Sequence, residues 1–522
     1  MKHITLLLAT ALCTVNAFAQ APNIEWQKTF GGTGNDYPLS IQQTTDGGYI
    51  VSGHTYSNDG DISGNHSING NADICVLKLN SSGGIVWRKI LGGEFSDVAR
   101  SIQQTTDGGY IIAGITNSNN GDISGNHGMT DIWVVKLNDI GAIIWQKTLG
   151  GTGDDYATSI QQTTDGGYVV AGSSNSNDGD VSGNHSTNGN ADFWVVKLNV
   201  TGTIVWQKTL GGTGFDCSNS IQQTIDGGYI ATGYTNSSDG DVLGNHGQFD
   251  IWVVKLNAIG VIIWQKTLGG TADDIGTKVQ QTTDSGYILA GQTKSNNADV
   301  SGNHGSDDAW VVKLSPTGAI IWQKTLGGTG RDYATSIKQT TDGGCILIGS
   351  TYSNDGDIFE NHGVYDFWVV KLNPTGAILW QKTLGGTVDE IGNDVQQTTD
   401  GGYIATGYAG SNNGDVSGNH GGIDFWVVKL SPEIVATSAV ADNAANIIVC
   451  PNPTNDFFII QNTQNTNETF VYKIVDLLGR EIIQSKSAFG EQINIKTLAT
   501  GSYILQIKTE SGAELYEKIV KK

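Results

Sequence analysis

The sequence predicts an all-β fold: a seven-bladed β-propeller closed by strand exchange of the termini, followed by a small β-sandwich. Three observations carry that prediction. A Trp in a W-Q-K-T-type segment recurs at Trp26, Trp87, Trp145, Trp206, Trp264, Trp322 and Trp380, spaced by 58 or 61 residues, and a fixed period of this size marks a repeat architecture. A second Trp recurs in D-x-W-V-V-K-L at Trp133, Trp194, Trp252, Trp310, Trp368 and Trp426, with Cys75 in the corresponding place of the first copy, so the two series account for all 13 Trp. No helical periodicity separates the copies and each holds four short strand candidates, which suits radial blades better than the shorter coils of a β-helix.

The elements follow in chain order. Lys2, the apolar stretch Ile4 to Ala11 and the small-x-small site Ala17-Phe18-Ala19 make residues 1–19 a Sec signal peptide cleaved before Gln20. Residues 20–430 are the propeller. In one copy, Ser159-Ile160-Gln161-Gln162-Thr163 alternates and runs into Thr164-Asp165-Gly166-Gly167, whose glycines supply the positive φ of a tight hairpin. Tyr168 to Gly172 leaves the turn as its partner, and Asp192–Leu198 with Ile204–Leu210 forms a second hairpin. The array opens on a lone strand, Ile24 to Lys28, and ends on Asp424 to Leu430 with no hairpin partner. Pairing those two strands closes the ring and leaves no bare edge. Residues repeated in every blade read as packing of blade on blade, since aromatic area is what such sheets bury. The Ala/Ser-rich residues 431–446 read as a linker, and residues 447–522 as a separate all-β module.

That last module carries, in order, Val449-Cys450-Pro451-Asn452-Pro453-Thr454, Val471 to Asp476, Leu478-Gly479-Arg480, Leu498 to Tyr503 and Lys518 to Lys522. It closely resembles the type A C-terminal sorting domain of the type IX secretion system, over about 75 residues, with Cys450 where an aromatic is commoner. The resemblance implies a β-sandwich recognised by the outer-membrane secretion machinery and usually removed on export, with the passenger secreted or attached to the outer cell surface. The repeat region in turn resembles the Gly-rich propeller repeats that often precede such tails; some relatives carry endoglucanase-type labels, but no residue here carries that activity over.

Composition narrows the function classes. The chain has 51 acidic against 29 basic side chains in 522 residues, a net charge of -22, and an acidic field of that size argues against nucleic acid as partner. Its 38% hydrophobic content excludes a disordered acidic tail. No later run approaches the roughly 18 apolar residues of a transmembrane span. The scattered Cys75, Cys217, Cys345 and Cys450 suit neither a disulfide framework nor a zinc site.

The loop between the second and third strands of each copy varies on Ser-Asn-Asp-Gly-Asp-Val-Ser-Gly-Asn-His and is followed by an Asp. Oxygen ligands at positions 1, 3, 5 and 12 with Gly at 6 is the spacing of a calcium loop. It holds at Asn120, Asp122, Ser124 and Asp131, at Asn297, Asp299, Ser301 and Asp308, and at Asn413, Asp415, Ser417 and Asp424. The spacing also resembles the calcium loops of integrin-type FG-GAP propellers. The remaining copies depart from it, at Leu243 and Phe359 or through three extra residues in Asp59 to Asp73 and Asp178 to Asp192. Asp, Asn, Ser and Gly are also the residues of a hydrogen-bonded turn that needs no metal, so calcium site and turn stand as alternative readings.

No catalytic constellation and no organic cofactor site is legible. Seven of nine His sit in this loop, one per blade, and cannot converge on one zinc ion. Asp154-Asp155 recurs in register as Asp273-Asp274, which suggests a loop role, and the blade-specific Arg88, Glu94, Arg100, Arg331 and Glu360 are where asymmetric function would live. The leading expectation is therefore a secreted or surface-displayed binding or adhesion module for polysaccharide or protein. An extracellular glycan hydrolase, endoglucanase-like, and a purely structural surface protein are the alternatives.

Overall fold

Alternating apolar and polar residues punctuated by Gly-containing turns build a chain of short antiparallel strands. The computed structural model describes residues 21–67, 70–186, 188–433, 447–450, 454, 456–462, 469–475, 480–509 and 514–521. The expected signal peptide, residues 434–446 of the expected linker, and the Pro451-Asn452-Pro453 and Leu478-Gly479 motifs lie outside them. The chain divides into two compact units, residues 1–433 and 434–522.

In the first unit, β1 (Ile24–Phe30) is followed by β2 (Asp36–Gln43), β3 (Tyr49–Thr55), β4 (Asp73–Leu79) and β5 (Ile85–Leu91), and β2 to β5 form one antiparallel sheet in sequence order. The same unit recurs through five further blades, ending at β25 (Ile378–Leu384). The seventh sheet has the order β1-β28-β27-β26, built from β26 (Glu390–Gln397), β27 (Tyr403–Ala409), β28 (Asp424–Leu430) and the N-terminal strand. Lys28 pairs with Val427 and Phe30 with Phe425, so the two lone strands of the sequence complete each other.

The innermost strand of each blade starts earlier than its alternation suggests. In the third blade it spans Asp155–Gln162, because a β-bulge between Ala157 and Ser159 breaks the period-2 pattern before pairing resumes. The bulged side chain then reaches the next blade: Thr158 Oγ1 donates to Ser218 O at 2.8 Å and Asn393 Nδ2 to Pro38 O at 2.6 Å.

Blades pack face to face through apolar layers. Ile132 and Val134 of one blade meet Tyr168, Val170, Trp194 and Val196 of the next in a single buried cluster. The six D-x-W indoles are wholly buried, and each donates Nε1 to the Gln of the neighbouring W-Q-K-T strand, as Trp194 does to Gln207 at 3.0 Å. Where Cys75 replaces that Trp, Arg88 replaces the Gln: with no indole N–H to accept, the position keeps only its second task of donating to the loop, at Asp61 O and Ser63 Oγ. Six of the W-Q-K-T indoles sit further out, edge-on to the Tyr of the next blade, with Trp145 and Tyr168 5.7 Å apart; for Trp322 the Tyr position is Cys345. The turn residue Gly202 (φ 78°) lies under Trp145, where a β-carbon would come within 2.8 Å of the ring, so this turn needs glycine for both conformation and space.

Polar staples join the same layers. In every blade the Lys of V-V-K-L is buried and its ammonium meets the Asp of the T-T-D-G turn, as Lys197 meets Asp165 at 3.0 Å. The Gln-Gln pair ending each inner strand links neighbouring blades: Gln103 Oε1 accepts from Gln162 N at 2.6 Å, and Gln162 Oε1 from Thr106 N at 2.8 Å.

In the second unit, Ile447–Cys450, Phe457–Asn462 and Gln492–Asn494 form a three-stranded sheet. Glu481–Ala488, Thr469–Val475, Gly501–Thr509 and Glu514–Lys521 form a four-stranded one. Phe458 and Ile460 of the first share one core with Phe470, Ile474, Leu505 and Ile519 of the second, the packing of a β-sandwich. Among the described residues no helix is long and apolar enough to cross a membrane.

Candidate functional site

Antiparallel order brings the start of each inner strand, the end of the second, the start of the third and the long loop to one end of the propeller. The three calcium-spaced loops lie there. In the second blade Asn120 Oδ1 accepts from Glu94 N at 2.9 Å, Asp122 Oδ2 from Gly92 N at 3.3 Å, and Ser124 Oγ from Gln146 Nε2 at 2.7 Å. Asp131 Oδ2 accepts from the backbone and ring nitrogens of His127 at 2.8 and 2.7 Å. The other two loops repeat the set. Asn297, Asp299, Ser301 and Asp308 turn to Thr271, Gly269, Gln323 and His304, and Asn413, Asp415, Ser417 and Asp424 to Thr387, Gly385, Gln27 and His420. Each loop thus brings its four residues together in sequence but turns them to four partners. Among the described residues, no group of three or more His, Cys, Asp or Glu stands close enough to hold a metal ion.

These contacts support the hydrogen-bonded turn. Calcium at millimolar concentration is expected to leave the melting temperature within about 1 °C of a chelated sample. A saturable rise would instead show that the loops take the cation, because a ligand bound only by the folded state must stabilise it.

One oxygen in each loop set has no partner. Asp73, Asp131, Asp192, Asp250, Asp308, Asp366 and Asp424 are all fully buried, and Oδ1 of each is unpaired. It faces the carboxylate that opens the next blade: a β-carbon placed on Gly150 would lie 2.8 Å from Asp131 Oδ1 and 2.6 Å from Asp155 Oδ2. Asp155 is itself buried, and its oxygens accept from Ser174 Oγ, Ser176 Oγ and Gly151 N. Burial, opposed by the hydrogen bonds each accepts, pushes both acids above the usual carboxylate range, reinforced at Asp155 by the charge of Asp131. At the preceding boundary it takes Asp97 up to about 6.

The rim at this end is aromatic and differs from blade to blade. Tyr37 stacks on His54 at 5.1 Å and meets Tyr408 and Tyr56 edge-on. Tyr352 and Tyr333 both flank Tyr365, and Phe215, Tyr234 and Phe249 form a third group. Tyr56 keeps 42% of its surface exposed and Tyr352 53%. Charged groups border the rings: Arg331 lies over Tyr333 at 5.4 Å and pairs with Asp307 at 3.1 Å, while Lys294 pairs with Asp273 at 3.1 Å.

The inner strands enclose a cavity of about 350 Å³ on the ring axis, lined mostly by Ser and Gln of the repeated S-I-Q-Q segment. Three positions break that lining. Lys278 and Asp394 stand where the five other blades have Ser, and Lys338 stands where the rest have Gln. The sequence signal for these three is the substituted S-I-Q-Q register. Of the blade-specific residues, Arg88 is explained by Cys75, Glu94 accepts from Asn120 Nδ2 at 3.3 Å, and Glu360 is exposed.

Residues 448–522 match the family described as the secretion system C-terminal sorting domain, which marks the chain for type IX export to the cell surface or beyond. An uncharacterised WD repeat-containing protein of Acanthamoeba polyphaga mimivirus is 18% identical over 368 residues, covering 54% of this chain and 26% of that protein. The regulatory protein FlaEY of Caulobacter vibrioides is 25% identical over 409 residues, covering 69% and 41%. This chain therefore spans less than half the length of both. Among solved structures, the extracellular domain of the two-component system BT4673 of B. thetaiotaomicron is similar at a TM-score of 0.41 and 10% identity, covering 95% of this chain and 59% of that one. Sqt1 of Chaetomium thermophilum is similar at 0.39 and 9% identity, covering 78% and 100%.

Proposed function

We propose that this secreted propeller, carried outside by its type IX sorting tail, is a binding and adhesion module that holds polysaccharide at the loop end of the ring. The supporting observation is the blade-specific aromatic rim. Residues that serve packing recur in every blade, whereas Tyr37, Tyr56, Tyr352, Tyr365 and Phe215 do not. Half-exposed Tyr rings offer flat apolar faces for the C–H face of a pyranose, together with hydroxyls and bordering charges that can orient its hydroxyls. Loops set on a rigid scaffold are where such sites concentrate. The hydrolase alternative draws less support, because glycosidase carboxyls must reach a bond from two sides and the carboxyl pairs at this end are fully buried.

A glycan array probed with the purified propeller is the test. Binding to one class of polysaccharide is expected, and Tyr56→Ala combined with Tyr352→Ala is expected to weaken it about tenfold, near 1.4 kcal/mol. Absence of any glycan ligand, or binding that the double variant leaves intact, would overturn the reading.

A further inference from the structure

The central cavity is built on two rings of inter-blade staples, and both are interrupted by cations. In the lower ring a Gln side chain accepts from the backbone of the next blade at six of seven boundaries, from Gln42 with Gln104 N at 2.6 Å round to Gln396 with Gln43 N at 3.1 Å. The missing acceptor is at the boundary of the sixth and seventh blades, where Lys338 takes the Gln position. In the upper ring Ser40, Ser101, Ser159 and Ser220 accept from the next blade at 3.3 to 3.4 Å. At the boundary of the fifth and sixth blades that acceptor is replaced by Lys278. An ammonium cannot accept a hydrogen bond, so each Lys forfeits a staple that most sister blades keep, Ser336 being the exception because it donates to Asp394 instead.

Among the described residues neither Lys regains a partner: no hydrogen bond or ion pair within 4 Å ties either ammonium to them. Asp394, the one anion lining the cavity, spends its oxygens on Ser336 Oγ at 2.8 Å, Val395 N at 3.0 Å, Ile41 N at 3.2 Å and Ser40 Oγ at 3.4 Å. Burial first, and the like charge of Lys338 second, outweigh Asp394 and bring Lys278 down to about 8. Arg100 adds a third cation towards the rim, at a bulge position where other blades carry Thr, Asn or Leu. Its charge is felt by His54 of the first blade and Cys217 of the fourth. A chain of net charge -22 thus concentrates cations inside its ring, and low-dielectric walls focus such a field.

The geometry points to the central cavity as a binding site for a small oxyanion, a carboxylate or phosphate group held between Lys278 and Lys338. The volume suits a ligand of monosaccharide size, and the surrounding Ser and Gln side chains can meet its remaining polar groups. This site is separate from the aromatic rim, so polysaccharide binding there and anion binding here can fail independently.

The test uses variants that restore the repeat, Lys278→Ser and Lys338→Gln, which install residues other blades already carry at those positions. Inorganic phosphate, sulfate, citrate and D-glucuronate are titrated into the full chain by calorimetry at pH 7. Saturable binding of at least one is expected, weakened tenfold or more in each single variant and abolished in the double variant, whose melting temperature without anion should equal or exceed that of the native protein. A preference for glucuronate would identify a sugar acid, and a preference for phosphate a phosphoryl group. Affinity should also fall as pH rises through about 8, where Lys278 loses its proton; Lys338 and Asp394 are the other titratable groups lining the cavity. Absence of binding by all four anions, or equal binding by the double variant, would overturn the proposal.

Discussion

Deleting residues 21–30 is expected to open the ring and to produce the largest loss of stability of any change considered. The deletion removes β1 whole, so β28 loses the backbone pairing that runs from Leu430 to Phe425. It also uncovers apolar surface around Phe425 and Val427 where Phe30 was 5% exposed, takes Gln27 from the buried Trp426 indole, and removes Glu25 from Lys429. Burial of one aromatic side chain is worth about 1.5–3 kcal/mol, and each buried polar group left unpaired costs about 1–3 kcal/mol. A loss of at least about 5 kcal/mol follows from those terms. Hydrogen exchange is the direct readout: Asp424–Leu430 should change from the slowest class to exchange within minutes, and a synthetic peptide of residues 21–30 added in trans should restore part of the protection. Unchanged protection of that strand in the truncated chain would show that the seventh blade holds without its N-terminal strand.

The second large effect is an unusual pH optimum. Two sets of carboxyls, each with a member in every blade, titrate in opposite senses. Burial alone would raise Asp46, but hydrogen bonds from Lys78, Thr44 and Gly48 outweigh it and hold the acid at about 2; Asp165, Asp226 and Asp284 are likewise held at about 2, and Asp107, Asp342 and Asp400 are lowered too. Their contribution is present above pH 4 and is lost as pH falls towards 2. The inter-blade acids behave in reverse. Burial raises Asp73, Asp131, Asp192, Asp250, Asp308, Asp366 and Asp424, and takes Asp97 to about 6. The folded state therefore holds protons that the unfolded chain has released, so this contribution is full below pH 4 and is lost as pH rises towards 6. For Asp97 alone the loss is about 3 kcal/mol. Melting temperature should peak near pH 4 to 5 and be lower by about 5 °C or more at pH 8. Asp73→Asn sharpens the test, because its amide can still accept from His66 while the substitution removes the buried charge that helps raise Asp97. That variant should be more stable than the native chain at pH 8 and no more stable at pH 4. A native optimum at pH 7 to 8 would sink this account of the inter-blade acids.

Much of the ring was legible because its signals are local and repeated. The two Trp series fix seven copies, and the lone strands at Ile24 and Asp424 announce the exchange between termini. The start of each inner strand was not legible, since the bulge at residues such as Thr158 shifts the side-chain alternation by one. The role of the Gln-Gln pair was hidden for another reason. Its partners lie about 60 residues away on the next blade, and nothing in one copy marks them. In the calcium-spaced loops, spacing sets which residues share a loop and not which way their oxygens turn, so calcium titration decides between the two readings. The cavity cations illustrate the opposite case. Lys278, Lys338 and Asp394 look ordinary one at a time and become conspicuous only when the seven S-I-Q-Q segments are laid in register.

The pairing of β1 with β28 also sets an order of events in time. Lys429 and Glu25, which meet across that sheet, are 404 residues apart in the chain, whereas six blades are assembled from strands adjacent in sequence. Loop-closure entropy grows only logarithmically, so joining those ends costs about 2 kcal/mol more than closing a loop the length of one blade. Thermodynamics hardly penalises the design, but kinetics does. Until Asp424–Leu430 pairs with Ile24–Phe30, a folding chain holds six near-complete blades and two unsatisfied edges. The clasp of the bracelet is thus the last part to fasten, and the interval before it snaps shut is when neighbouring chains are most able to pair with the wrong edge.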